Sequence, residues 1–320
     1  MKSILIVLII VFGSLVGRSQ DYERIVMSTQ DSNHFYFGDG ESTDLFYDVL
    51  KPKNKPVGVL VIFPSGGQLV ENLEKEISLP QNAIEQNMLV VIPSFNWGTF
   101  QRIPDIEFLN EVFKNVCEKY HVSKDHFVFC GLSNGGMVSL TYAIHAEKFQ
   151  STFLKPIGVI GLDPFLDNAR FYRYCEREVK RGFSEAGVAE SKFFLKVYNQ
   201  IYGGSPDEYP EAYMEASTYS FGAPKGGNTQ FLNDVGILMF SDLNTDFLIN
   251  QRRRDLYDWN GIDIVSFVNQ LKINGNPNAS VIISQNQGKR MDGTANPHSW
   301  SILQDDVVMK WIIDLLDAKK

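Results

Sequence analysis

The chain has 320 residues, 44% of them hydrophobic and 21% charged, which is enough apolar mass for one substantial domain or two small ones and excludes a disordered polymer. A formal net charge of -8 excludes the basic footprint of a nucleic-acid binder, and the single basic run, Arg252-Arg253-Arg254, is expected on a solvated helix face. The five histidines show no HxH or HExxH spacing, and Cys117, Cys130 and Cys175 form no CxxC pair, so no metal, no cofactor and at most one disulfide are expected.

At the start, Met1-Lys2 precedes an apolar run from Ile4 to Val16, followed by the small residues Gly17 and Ser19 around Arg18. This is the layout of a cleaved secretory signal over residues 1–19, because a spanning helix needs roughly 20 apolar residues. The mature chain from residue 20 is therefore expected outside the cytoplasm, secreted or periplasmic, without stable insertion in a membrane.

Short β-type segments follow at Arg24 to Ser28, Phe35 to Phe37 and Leu45 to Leu50, reading as an antiparallel start. From Val57 the pattern changes to near-continuous apolar runs, the mark of strands covered on both faces of a parallel sheet. These runs are Val57 to Phe63, Met88 to Ile92, His126 to Cys130, Ile157 to Leu162, Gly236 to Phe240 and Ala279 to Ser284. Helical periodicity alternates with them over Ile106 to Tyr120, after Ser133, and again from Ile302 to Leu315. The alternation predicts an α/β fold with a doubly wound, mostly parallel sheet. Residues 164–235 lack a buried-strand run and contain helical stretches at Arg170 to Arg181, Ala189 to Tyr202 and Glu208 to Ser217, so an inserted helical cap is expected there.

Within this pattern Phe127-Val128-Phe129-Cys130-Gly131-Leu132-Ser133-Asn134-Gly135-Gly136 runs from a strand through GxSxG into a helix. Such a turn exposes a serine at its apex, and the flanking glycines relieve backbone crowding. Ser133 is thus the expected nucleophile. A serine hydroxyl needs a base and the base an orienting acid, on this plan in the chain order serine, acid, histidine. His145 lies on the helix after Ser133 and is carried about 18 Å away by it. His298, in Asn296-Pro297-His298-Ser299-Trp300 between the last strand and last helix, is the expected base. For the acid Asp246 is preferred, with Asp242 and Asp163 as alternatives, each at or after a predicted strand end. Oxyanion donors are expected from the backbone of Asn134 and from Gly66 and Gly67 in Pro64-Ser65-Gly66-Gly67-Gln68, the loop after the first buried strand.

With these residues in place the sequence resembles the α/β-hydrolase superfamily, over roughly Val57 to Leu316 at the level of fold. The stretch Gly131 to Met137 resembles the elbow of secreted esterases of the polyhydroxybutyrate-depolymerase and feruloyl-esterase-like group, whose oxyanion loop commonly opens His-Gly where this chain has Pro64-Ser65. A second likeness, to prolyl-oligopeptidase-like hydrolases, lies in Gly204-Ser205-Pro206-Asp207-Glu208-Tyr209-Pro210-Glu211-Ala212-Tyr213. The resemblance implies an exported serine hydrolase cleaving a carboxylic ester, in a small molecule or a polymer, through an acyl-enzyme. A secreted peptidase or amidase and a catalytically inactive binding protein of the same fold are the alternatives. Aromatic residues of the expected cap, among them Phe165, Phe171, Tyr174 and Phe194, together with Phe95, Trp97 and Phe100, suit either substrate contact or helix packing and name no substrate.

Overall fold

The computed structural model describes residues 22–27, 45–95 and 103–319. The expected signal segment 1–19, the segment Phe35 to Phe37, Trp97 and Phe100 lie outside the described residues.

Eight strands form one sheet: β1 (Glu23–Met27), β2 (Leu45–Leu50), β3 (Gly58–Phe63), β4 (Met88–Pro93), β5 (Phe127–Leu132), β6 (Gly158–Leu162), β7 (Gly236–Leu243) and β8 (Ala279–Gln285). Their order is β1-β2-β4-β3-β5-β6-β7-β8. β2 runs antiparallel to β1 and β4, and the pairs from β4 to β8 are parallel. The doubly wound, mostly parallel sheet read from the sequence is therefore present.

Strand composition follows from this layering. On β3, Val59, Val61 and Phe63 enter one core and Leu60 and Ile62 the other, so both faces demand apolar side chains and the strand reads as an unbroken hydrophobic run. At the edge, β1 alternates half-buried and exposed positions because only one face is covered. The first core packs α3 (Ile103–Tyr120), α4 (Asn134–Lys148) and α8 (Gly261–Ile273) on the sheet; the second packs α1 (Val70–Glu76), α2 (Leu79–Glu85) and α9 (Asp305–Asp317). Neither α1 nor α2 is anticipated by the sequence pattern, since each offers only one turn of apolar spacing, Val70 and Leu73 in one and Leu79 and Ala83 in the other.

Between β6 and β7 the chain forms α5 (Asn168–Arg181), α6 (Glu185–Tyr202), α7 (Pro210–Ala216) and a 3-10 segment Pro224–Leu232, with no strand. α5 starts on Asp167, whose carboxylate accepts from Arg170 N, and ends on Gly182 at φ 66°. This insert has its own aromatic core of Phe165, Phe171, Tyr172, Tyr198 and Tyr213. It is pinned to α8 by the buried pair Arg170 and Asp263, whose Oδ2 accepts from Arg170 Nη2 at 2.7 Å and Leu166 N at 3.0 Å. The three cysteines are unpaired. Among the described residues no helix is long and apolar enough to cross a membrane.

Candidate active site

β5 ends at Leu132 and α4 begins at Asn134, so Ser133 alone makes the turn, at φ 55° and ψ -118°. Positive φ costs an ordinary residue on the order of 1 kcal/mol, and surrounding contacts must hold it there. Ser133 N donates to Leu162 O at 2.7 Å, and Met137 N donates to Ser133 O at 3.1 Å. Sterics fix the neighbouring residue types: a Cβ on Gly131 would lie 2.2 Å from the carbonyl carbon of Gly135, and one on Gly135 would lie 2.2 Å from Phe63 O. The two glycines of GxSxG are thus imposed by backbone crowding against the elbow itself and against β3.

β6 lies beside β5 and delivers Asp163 one residue past its end, at φ 46°. Asp163 N donates to Phe240 O at 2.8 Å on β7, and its carbonyl accepts from Asn260 Nδ2 at 3.0 Å. One carboxylate oxygen accepts from Ser241 Oγ at 2.5 Å; the other lies 2.6 Å from His298 Nδ1. A carboxylate oxygen accepts, so Nδ1 carries the imidazole proton and Nε2 is left as the basic nitrogen. Burial of the ring pushes the His298 pKa down, but the hydrogen bond and charge of Asp163 outweigh it. Glu190 adds to the rise and Arg254 opposes it, leaving the pKa above the ordinary histidine value.

The structure thus brings His298 to Asp163, the last-ranked of the three expected acids. Asp246 is exposed at the start of the turn Phe247–Gln251, and it is not the residue bonded to the ring. Asp242, at 1% exposure, is turned toward the loop after β8. Its Oδ1 accepts from Ser284 Oγ at 2.7 Å and Gln287 N at 3.0 Å, and its Oδ2 from Gly288 N at 3.1 Å. Gly288 O in turn accepts from Asn296 N at 2.8 Å, two residues before His298. Asp242 therefore anchors the start of the loop that carries the histidine, and Gly288 links that anchor to Asn296 near its end. A bonding pattern of this kind has no local sequence signal.

On the other side of the elbow, Gly66 lies against Asn134: a Cβ on Gly66 would stand 3.5 Å from that of Asn134. Gly67 takes φ 74°, where a side chain would be strained. Gln68 staples this loop, its Oε1 accepting from Ser65 N at 3.1 Å and Trp300 Nε1 at 3.0 Å while Nε2 donates to Glu76 at 2.6 Å. The loop of Gly66 and Gly67 thus meets the elbow at Asn134, the residue after Ser133, through Gly66. Asn134 Nδ2 is buried with no hydrogen-bond partner among the described residues.

Ser133, Asp163 and His298 line one cavity of about 440 Å³. Among the described residues no hydrogen bond joins Ser133 Oγ to the ring, whose side chain is 42% exposed into this space. The far wall is Phe165, Phe171, Tyr174 and Phe194 from the insert, with Phe247 and Arg252 from the segment after β7. Phe165 stacks on Phe171 with ring centroids 3.8 Å apart, and Phe194 meets Phe171 edge-on at 5.1 Å, so these rings pack together and line the cavity at once. The basic run departs from the expected solvated helix face: Arg253 is exposed, but Arg252 and Arg254 are half-buried in the cavity wall. His145 is buried on α4, its pKa lowered by burial and by Lys148. Among the described residues no group of histidines, cysteines and carboxylates could hold a metal.

No family model matches the chain, and no curated protein matches it. Solved structures do. A hyperthermophilic esterase from the archaeon Pyrobaculum calidifontis superposes with a TM-score of 0.55 at 16% identity, covering 93% of this chain and 84% of that one. A fungal esterase from Rhizomucor miehei gives 0.56 at 13% identity, covering 94% and 85%. Dipeptidyl peptidase 4 of Porphyromonas gingivalis gives 0.52 at 12% identity over 94% of this chain but only 36% of that one. At these identities the likeness is one of fold, which is α/β-hydrolase-like.

Proposed function

We propose that this chain is a serine hydrolase that cleaves carboxylic esters, with Ser133 as nucleophile, His298 as general base and Asp163 as the acid that orients it. The observation that carries the reading is the bond of 2.6 Å between His298 Nδ1 and Asp163, in a cavity shared with the strained Ser133. Nε2 takes the Oγ proton as Oγ bonds the acyl carbon, and Asn134 N with the amides of Gly66 or Gly67 stabilises the oxyanion. Collapse breaks the carbon to alkoxide bond, and His298 returns its proton to the leaving oxygen. Water then attacks the acyl-enzyme by the same route, releasing the acid and restoring Ser133. The mechanism requires the ring, which is exposed into the cavity, to reach Ser133 Oγ, a contact that in free enzymes is often loose.

The choice of ester over amide cleavage is supported by esterase neighbours that resemble this chain in fold over most of both lengths, whereas the peptidase is matched over about a third of its own. The apolar run Ile4 to Val16 supports export of the mature enzyme. A fluorophosphonate probe is expected to label the wild type at one serine and to leave Ser133→Ala unlabelled. Hydrolysis of short acyl nitrophenyl esters should fall on the order of 10⁴-fold or more in that variant. Absence of an adduct and of ester turnover in the wild type would favour an inactive binding protein; turnover of aminoacyl amides alone would favour a peptidase.

A further inference from the structure

The cavity that holds Ser133 and His298 has a charge pattern that the proposed chemistry does not use. Its lining includes the guanidinium groups of Arg252, Arg254 and Arg290 and the carboxylates of Asp163, Glu190 and Asp258. Most of these are committed elsewhere. Asp163 serves His298 and Ser241, Asp258 accepts from Arg177 at 2.9 Å and Arg181 at 2.7 Å, and Arg254 donates to the buried Glu178 at 3.0 Å. Arg290 is exposed and has the charge of Asp292 nearby, so among the lining cations Arg252 is left facing Glu190, in a chain whose formal net charge is -8.

Arg252 is the more telling of the two. It is half-buried, its Nη1 donates to Ser184 Oγ at 2.5 Å, and its guanidinium lies 5.4 Å from the Phe247 ring centroid. Among the described residues no carboxylate pairs with it, whereas Arg170 and Arg254 each have one and Arg177 and Arg181 each have two. The hydroxyl and the ring hold the group in place without neutralising it, and its remaining donors form a planar fork suited to a carboxylate. Partial removal from water without a counter-charge is unfavourable, and a bound anion relieves it.

Resting on the hydrolase reading above, we infer that Arg252 is a specificity-determining residue that selects esters bearing a second, free carboxylate several bonds from the scissile carbonyl. Aromatic rings along the wall cover the apolar part of such a substrate, and Arg252 binds its charged end, with Arg290 adding positive potential from the histidine loop.

The test compares nitrophenyl half-esters of succinic, glutaric and adipic acids with neutral esters of matched length, and 4-acetoxybenzoate with 4-methylphenyl acetate. The first set places the carboxylate on the acyl side and the second on the alcohol side. Rates are expressed per serine titrated by the fluorophosphonate probe, so that misfolded protein does not count. In one set the wild type should favour the anionic ester at least about tenfold in kcat/KM. That ratio should approach one in Arg252→Gln, survive in part in Arg252→Lys, and invert in Arg252→Glu. Equal or poorer use of the anionic esters in both sets, or a preference that persists in Arg252→Gln, would overturn the inference. So would selectivity for cationic esters that is lost in Glu190→Gln. A wild type with a Ser133 adduct but no charge preference sinks this inference alone, whereas a wild type with no adduct sinks the hydrolase reading and this one with it.

Discussion

The shelf at the end of the parallel strands and the wall facing it across the cavity are held by different forces. On the shelf, Ser133 and Asp163 are fixed by main-chain hydrogen bonds to adjacent strands, the loop before His298 by the Asp242 carboxylate, and the elbow by contacts that leave no room for a Cβ at Gly131 or Gly135. In the wall, α5 is tied to residues 254–258 by Arg177, Arg181 and Arg254 meeting Glu178, Asp255 and Asp258, with stacked aromatics beneath. Steric necessity admits few substitutions, whereas ion pairs and ring packing can be exchanged for others of similar volume. On the function proposed above, the shelf is therefore where the chemistry would be legible, and the wall where substrate choice could change without loss of the fold.

The largest effect on this contrast should come from Asp163→Asn, which keeps the shape of the shelf but removes the charge that orients His298. We expect kcat to fall about 10³- to 10⁴-fold, by analogy of role with other orienting aspartates, while Asp246→Asn stays near wild type. The pH profile carries a signed check. The base must be neutral to act, so wild-type kcat/KM should rise with pH through a value above the ordinary histidine pKa of about 6.5. In Asp163→Asn the largest influence raising the pKa is gone, leaving burial and Arg254 against Glu190, and the limb of any residual activity should move to lower pH. Stability runs the other way: protonated His298 gains from Asp163 in the folded state, a contribution fully present below the unfolded pKa and lost as pH rises through the raised folded value.

Next in size is Asp242→Ala. It leaves Ser284 Oγ, Gln287 N and Gly288 N without their acceptor, at a cost of roughly 1–3 kcal/mol, and loosens the loop before His298. A lower melting temperature together with a drop in kcat larger than any change in KM is the expected pair of readouts. A drop in stability with kcat intact would assign Asp242 to the fold alone.

These two aspartates mark the limit of what the sequence reveals. Ser133 and His298 are legible because the elbow needs glycines at fixed spacing and because only one later histidine lies between a strand and a helix. The choice among Asp163, Asp242 and Asp246 is not, since each follows a predicted strand and the decision rests on which way a carboxylate turns. At Asp163 that turn depends on a positive φ held by Phe240 O, and at Asp242 on donors more than forty residues away. The strands of the parallel sheet are readable because both faces are covered. The pairing of Arg177 with Asp258, 81 residues apart, leaves no local trace, and so the basic run at 252–254 looks like a solvated surface.

A wall substitution should do less to the chemistry. Asp258→Asn removes the shared partner of Arg177 and Arg181, and because Arg177 is 41% exposed the penalty is screened to about 1–2 kcal/mol. Hydrolysis of a small acetate ester should change by less than about threefold, while KM for bulky esters rises as α5 shifts. Equal damage to small and bulky substrates would erase the distinction between shelf and wall.

The smallest effect crosses the cavity from one region to the other. Glu190 is an exposed residue of the wall, yet its charge contributes to raising the His298 pKa, opposed by Arg254. Glu190→Gln should move the acidic limb of kcat/KM to slightly lower pH at low salt, and the shift should shrink as ionic strength rises and screens the exposed charge. Salt separates this from a change in packing, which would move the limb equally at every ionic strength. Because the limb in Asp163→Asn moves through a direct hydrogen bond, it should respond to salt far less. The ratio of the two responses measures how far the wall acts on the shelf through its field rather than through contact.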